Sequence, residues 1–221
     1  MREGEADTLC YANPATPEDL DWIFRLEIDA YSAQYAVARR TLEQWYCCNP
    51  DGFSILTMNG CKIGHVTIVP LRPKILKSFV QGTIAEQDIH EDCVYPPGEK
   101  HLIRNLYFES IITGPPKGHS TLPIKALTCL ARDFVPLISR ICDPTNLENV
   151  YALAASGPGE RFIKGLGFDQ VKSGQERADQ RALYVARFST LESTISELYG
   201  KRQGCDPASI SRTTFHFCSR H

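Results

Sequence analysis

An Asn-Gly pair in the first third of the chain constrains the fold more than any other short motif. Asn59 and Gly60 separate two β-rich runs, GFSILTM at 52–58 and CKIGHVTIVPL at 61–71. Both residues accept the positive φ that a two-residue turn needs, so this pattern predicts a β-hairpin. The hairpin fixes an antiparallel pair of strands around which the remaining elements have to be placed.

Hydrophobic periodicity and capping residues place the other elements. Helical spacing, with Thr16 as a cap and Pro17 in the first turn, predicts a helix over about 17–32. Further helices are predicted at about 41–48, 73–82, 119–140 and 190–200, with a short one from 157 to Gly165 or Gly167. Further strands are predicted at 8–16, 102–113, 148–156, 168–174 and 181–188. Strand-helix-strand units thus follow the hairpin, which predicts an α/β fold with a mixed sheet and helices on both faces.

Size, charge and cysteine usage exclude several classes of function. The 221 residues suit one domain, and a net charge of -2 with a pI near 6.3 argues against a nucleic-acid partner. No apolar run approaches the roughly 18 residues of a membrane span, and no secretory signal is visible at the start. The nine cysteines include no CxxC pair, so we expect no metal site and reduced thiols in a cytoplasmic protein.

The stretch TGPPKGHSTLPIKAL at 113–127 joins the strand at 102–113 to a long helix. The first turn of a helix leaves backbone N–H groups without partners, and together with the helix dipole they attract an anion such as a pyrophosphate. Gly118 allows close approach, Lys117 supplies a positive charge, and His119 and Ser120 supply donors. The same residues also fit a simple Gly-Pro corner capped by Ser120.

Two landmarks in this arrangement resemble the GNAT (GCN5-related N-acetyltransferase) superfamily. IKGLGF at 163–168 is similar to the family's YEKLGF segment, and the strand-loop-helix is similar to its V-x-P-x-x followed by R-G-x-G-x-G/A. Laid on that pattern, the Val place is taken by Ile112, the Arg by Lys117, and the three Gly or Ala positions by Gly118, Ser120 and Leu122. The resemblance covers about residues 8–190 and implies a mostly antiparallel central sheet.

The resemblance implies an acyl-CoA-dependent N-acyltransferase that moves an acetyl group from acetyl-CoA to a primary amine. The domain would be 1–190, with an insertion or long loop at 82–100, followed by a C-terminal helix and tail at 191–221. The partners implied are a CoA thioester and a small-molecule or peptide amine, and a homodimer is compatible with the resemblance. The CoA-binding residues would be Ile111, Ile112, Thr113, Lys117, Gly118, His119, Ser120, Thr121 and Leu122.

Two catalytic residues are candidates. Glu109 lies in an apolar strand, where a carboxylate can have a raised pKa and act as the base for the amine. The alternatives are that Glu109 pairs with Arg104 or reaches solvent, and His101 and His65 are weaker candidates for the base. Ser156, at the end of the fifth predicted strand, would orient a water or contact CoA.

The proton donor that the family usually places at the Tyr of YEKLGF is replaced here by Ile163. This replacement leaves open a second interpretation, a CoA-binding or regulatory domain that no longer catalyses. The acidic residues Glu86, Asp88, Glu91 and Asp92 would either attract a cationic amine or belong to a solvated loop.

Overall fold

The computed structural model describes residues 10–31, 35–113 and 122–203. The strands are β1 (Cys10–Pro14), β2 (Phe53–Met58), β3 (Cys61–Val69), β4 (Asn105–Thr113), β5 (Asn149–Ala154), β6 (Asp169–Lys172) and β7 (Ala182–Arg187). The helices are α1 (Leu20–Tyr31), α2 (Arg39–Cys48), α3 (Pro73–Gln81), α4 (Leu122–Ile141), α5 (Gly157–Gly165) and α6 (Phe188–Gln203).

All seven strands form one sheet in the order β1-β2-β3-β4-β5-β7-β6. Every neighbouring pair is antiparallel except β4 and β5, which are parallel. The predicted hairpin is the β2–β3 pair, and Asn59 and Gly60 at its turn have φ values of 50° and 77°. The predicted mixed, mostly antiparallel sheet is therefore confirmed.

Apolar side chains on the two faces of the sheet form two cores. Helices α4, α5 and α6 cover one face, where Phe134, Ile138 and Leu191 are buried. Helices α1, α2 and α3 cover the other face, where Ile23, Trp45 and Phe79 are buried. The two layers confirm the prediction of helices on both faces. No helix in the described part of the chain is long and apolar enough to cross a membrane.

The segment from 82 to 100 differs from the long solvated loop that its acidic residues suggested. It forms 3-10 turns at Glu86–Asp88, Glu91–Cys93 and, at its end, Pro97–Leu102. Asp88, Glu91 and Asp92 are exposed, as expected of a solvated loop, but Glu86 is only 3% exposed. The indole N–H of Trp45 on α2 donates to the carbonyl of Ile89 at 2.9 Å. The segment therefore packs into the core beside α2 and carries Glu86 into the interior.

Candidate active site

Strands β4 and β5 part from one another halfway along β4. Their parallel pairing joins Asn105–Phe108 to Asn149–Ala152 and stops there. Beyond Phe108, β4 pairs only with β3, and Leu153 and Ala154 pair with β7. Ile111, Ile112 and Thr113 therefore line an opening in the sheet with one edge of their backbone turned away from β3. The resemblance predicts these three residues as part of the CoA-binding site.

Glu109 occupies a bulge at the point where the two strands part. Thr67 pairs with Ser110 and Ile68 with Phe108, so Glu109 is an extra residue without a partner on β3. A regular strand would place Glu109 and Ser110 on opposite faces. Here the Ser110 hydroxyl donates to Glu27 of α1 at 3.4 Å, and the negative charge of Glu27 raises the pKa of Glu109. The bulge therefore brings both residues into the neighbourhood of Glu27.

A cluster of buried polar side chains surrounds this bulge. Glu27 and His65 are both 0% exposed, although each carries an ionisable group. The hydroxyl of Ser110 donates to Glu27 Oε1 at 3.4 Å, and His65 Nε2 lies 3.9 Å from the same oxygen. Within the described part of the chain, four buried polar atoms on these elements have no hydrogen-bond partner: Glu27 Oε2, Glu109 Oε2, His65 Nε2 and Thr113 Oγ1. Such atoms are costly to leave unpaired, which makes this cluster the candidate active site.

Burial controls the protonation states of this cluster. Removal from water raises the pKa of Glu109 well above its usual range, and the negative charges of Glu27 and Glu86 raise it further. Burial, followed by the charge of Glu86, raises the pKa of Glu27 to about 8. Burial lowers the pKa of His65 to about 3, so this imidazole is neutral at neutral pH. The site thus combines a neutral histidine with carboxyl groups that hold protons at unusually high pH.

A network of ion pairs beside this cluster supplies positive charge near the site. Arg181, just before β7, donates to Glu86 Oε2 at 2.7 Å. The Tyr107 hydroxyl of β4 donates to the other oxygen of Glu86. Arg177 pairs with Asp179 and donates to the backbone carbonyl of Phe79 at the end of α3. These contacts join the β6–β7 connection to α3 and to the segment that carries Glu86.

The structure places only part of the predicted CoA site. Ile111, Ile112 and Thr113 lie along the opening, whereas Lys117, Gly118, His119, Ser120 and Thr121 lie outside the described residues. Leu122 is the first residue of α4, which runs on for twenty residues. A long helix therefore begins immediately after the predicted pyrophosphate loop, whose role as an anion site stays a prediction.

Ser156 and Ile163 both have structural roles at α5: Ser156 caps the helix and Ile163 belongs to the core. The Ser156 hydroxyl accepts a hydrogen bond from the Gly159 N–H at 3.1 Å and so caps the helix. Ile163 packs into the core with the residues of α4 and α6. A contact of Ser156 with CoA stays a prediction, and neither side chain supplies a proton donor comparable to a tyrosine.

The capping bond predicts a modest effect for Ser156→Ala. Loss of a serine N-cap costs about 1 kcal/mol of stability. We expect a urea unfolding curve to shift by that amount, while Ser156→Asp, which restores the acceptor, keeps the stability near that of the parent chain. A loss above about 3 kcal/mol would contradict a role limited to capping.

Sequence reasoning missed Glu27 and Arg181, and it named Glu86 without predicting that this residue is buried. Glu27 was detectable, because it continues the buried spacing of Leu20 and Ile23 on α1, and a carboxylate at a core position is unusual. One alternative for Glu109, a pair with Arg104, is not formed among the described residues. Arg104 donates instead to the Asn146 carbonyl, and the exposed His101 lies outside the cluster. Among the described residues, no group of three or more His, Cys, Asp or Glu side chains could hold a metal ion.

Comparison with solved structures finds the same fold at low sequence identity. The GNAT-like decarboxylase GphF in complex with isobutyryl-CoA is 15% identical, with a TM-score of 0.54, over 81% of this chain and 99% of that one. The loading GNATL domain of CurA from Lyngbya majuscula is 14% identical, with a TM-score of 0.55, over 82% and 98%. An uncharacterized protein from Bacillus halodurans is 13% identical, with a TM-score of 0.54, over 89% and 93%.

No protein-family model and no curated protein matches the sequence. The similarity is therefore carried by the order and pairing of the strands and by the positions of the helices. At such identities the comparison establishes the fold alone. The chain has the fold of these GNAT-like structures, with a sequence that is only about 15% identical to theirs.

Proposed function

We propose that this chain is an acyl-CoA-dependent N-acyltransferase that moves an acetyl group from acetyl-CoA to a primary amine. The observation that carries the proposal is the position of Glu109. This carboxyl group lies in the β4 bulge where β4 and β5 part, is half-buried, and has one oxygen without a partner. Burial also raises the pKa of Glu109, and a base that takes a proton from an amine needs a raised pKa at the place where the thioester would lie.

In this proposal the CoA thioester binds along the opening between β4 and β5. The backbone of Ile111, Ile112 and Thr113 hydrogen-bonds to the pantetheine chain, and the loop before α4 binds the pyrophosphate through Lys117 and Gly118. A small-molecule or peptide amine lies on the α1 side, next to Glu109. Glu109 takes the proton of the amine as the nitrogen attacks the thioester carbonyl directly.

A second candidate function is a CoA-binding or regulatory domain without catalysis. The observation that favours it is the burial of Ile163 in the core and the use of the Ser156 hydroxyl as a helix cap. Neither of these two side chains therefore serves as a strong proton donor for a departing thiolate. This domain would bind acyl-CoA in the same opening and leave the thioester intact.

Binding and turnover separate the two functions. Acetyl-CoA is incubated with the protein and a panel of primary amines, and the release of free CoA thiol is measured. Amine-dependent thiol release supports the acyltransferase, whereas CoA binding without release supports the non-catalytic domain. Carbon dioxide release from a carboxylated acyl-CoA would instead indicate the activity named for the decarboxylase neighbour.

CoA binding itself predicts a rise in the melting temperature. A ligand at 100 times its Kd stabilises a protein by about 2.7 kcal/mol, which corresponds to about 5–10 °C for a chain of this size. We expect Gly118→Asp to abolish the rise, because the new carboxylate repels the pyrophosphate. Gly98→Asp is the matched control, since Gly98 lies in a 3-10 turn and a side chain there meets nothing within 4 Å. An equal rise in Gly118→Asp and Gly98→Asp would contradict the assigned loop.

A further inference from the structure

Glu27 occupies a position in α1 that an apolar residue would normally fill. Leu20, Ile23 and Glu27 follow one another at helical spacing, and all three are buried against the sheet. The Glu27 side chain is 0% exposed, and His65 Nε2 lies 3.9 Å from its Oε1. A carboxyl group in such a position carries a large desolvation penalty when it is ionised. The penalty is avoided if the group binds a proton or if a neighbouring group compensates its charge.

The neighbour that shares the environment of Glu27 is Glu109. Ser110, which follows Glu109 in the same bulge, donates to Glu27 Oε1 at 3.4 Å, and the negative charge of Glu27 raises the pKa of Glu109. Glu27 Oε2 and Glu109 Oε2 are both buried, and neither has a hydrogen-bond partner among the described residues. Two neighbouring carboxylates repel one another strongly inside a protein, and a proton held between them removes that repulsion.

The remaining ionisable groups around the two carboxyls do not neutralise both of them. His65 is neutral at neutral pH because it is buried. Arg181 hydrogen-bonds to Glu86 and reaches Glu109 only through its longer-range charge. The groups that face the two carboxyls are Tyr31 of α1, His65 of β3, Glu86 of the 82–100 segment, Tyr107 of β4 and Arg181 before β7.

We propose that Glu27 and Glu109 form a carboxyl pair that holds one proton between them, with Glu109 next to the opening and Glu27 as the positioning residue behind it. Glu109 is half-buried and borders the gap between β4 and β5, whereas Glu27 is fully enclosed. Glu109 is therefore the member that meets a substrate. Glu27 acts through it by setting how readily Glu109 takes up and releases a proton.

The catalytic consequence of the pair rests on the proposed acyl transfer. As the neutral amine attacks, the N–C bond forms, the C–S bond breaks, and the N–H proton moves to the Glu109 carboxylate. Glu109 then donates this proton to the CoA sulfur, and the pair returns to its one-proton state. One proton has moved from nitrogen to sulfur without net uptake. This relay supplies the proton that Ile163 lacks.

The pair is tested first without any substrate. Glutamate side chains are labelled with 13C at the carboxyl carbon, and their NMR signals are followed against pH in the parent chain and in Glu27→Gln. Because the charge of Glu27 raises the pKa of Glu109, we expect the Glu109 signal in the variant to titrate at least one pH unit lower. An unchanged titration of Glu109 would overturn the pair. Glu27→Met, of similar length, gives the same comparison where Glu27→Gln fails to fold.

The pH dependence of the free energy of unfolding provides an independent test of the pair. A carboxyl whose folded pKa lies above its unfolded value of 4.5 binds a proton on folding, so its contribution to stability is lost as pH rises through the folded pKa. For Glu27 that window runs from 4.5 to about 8. We expect Glu27→Gln to remove a slope equivalent to about one proton in this window. An unchanged slope would count against the pair.

The relay is tested by the pH profile of acyl transfer. In Glu27→Gln we expect the acid limb of kcat/KM to move at least one pH unit lower, with the KM for acetyl-CoA unchanged. An acid limb that stays in place overturns the role of Glu27 as a positioning residue. A pair seen by NMR in a protein that binds acetyl-CoA without turnover rejects the relay and the acyltransferase, while the pair itself stands.

Discussion

Glu109→Gln is expected to lower the rate of acetyl transfer by about 10²–10⁴-fold, the usual contribution of a general base. The amide is close in size and shape to the carboxyl group, but it accepts no proton at neutral pH. The backbone of β4 that borders the opening is unchanged, so the affinity for CoA is expected to stay within about twofold. Initial rates of thiol release and a thermal shift with CoA measure the two quantities separately.

Glu148→Gln is the matched control for this prediction. Glu148 is exposed and directly precedes β5, a strand of the same sheet as β4. We expect its substitution to leave turnover unchanged. Equal rates in Glu109→Gln and in the parent chain would remove Glu109 as the base, and equal losses in both variants would point to a general effect of altered charge.

The order of the elements was predictable because local signals agree with the final structure. Asn59 and Gly60 specify a turn that needs positive φ, and the observed values are positive. Thr16 is the N-cap residue as predicted, but Pro17 lies in a 3-10 turn, Pro17–Asp19, and α1 starts only at Leu20. Such signals depend on neighbours in the sequence, and they are therefore visible before any tertiary contact is known.

The candidate site was predictable only in part because its charges meet through long-range contacts. Glu109 stood out as an acidic residue within an apolar strand. Its partner Glu27 comes from a helix 82 positions earlier in the chain. The bulge that contains Glu109 arises from the pairing of β3 with β4. No local sequence pattern in either strand predicts this bulge.

The burial of Glu86 also depends on long-range contacts that the sequence alone does not reveal. Its neighbours Asp88, Glu91 and Asp92 are exposed, and the acidic composition of the segment suggested that all four residues were. The carboxylate of Glu86 is buried because Arg181 and the Tyr107 hydroxyl, both distant in sequence, satisfy its oxygens. Composition describes a segment as a whole and does not identify the one residue that has partners elsewhere.

Arg181→Met is expected to destabilise the protein by about 3–5 kcal/mol, the cost of breaking a buried ion pair by removing one partner. The side chains of Arg181 and Glu86 are 16% and 4% exposed, so little water reaches the carboxylate that is left behind. Urea unfolding at neutral pH measures the loss. Lys164→Gln is the control, because the Lys164–Glu160 pair is 52% and 39% exposed and is worth less than about 1 kcal/mol.

A second substitution separates the charge of Glu86 from the packing of Arg181. In Arg181→Met with Glu86→Gln no carboxylate is left unpaired, and the amide oxygen still accepts from the Tyr107 hydroxyl. We expect the double variant to recover at least half of the stability that Arg181→Met loses. A double variant as unstable as the single one would assign the loss to packing instead.

The single variant Arg181→Met also tests whether the charge of Arg181 influences Glu109, the proposed base. The positive charge of Arg181 lowers the pKa of Glu109 and so opposes the effects of burial and of the neighbouring carboxylates. Its removal is therefore expected to raise the pKa of Glu109, and the acid limb of acetyl transfer should move to higher pH, opposite to the shift expected for Glu27→Gln. Opposite shifts in the two variants would place Glu109 between a carboxylate that raises its pKa and a guanidinium that lowers it.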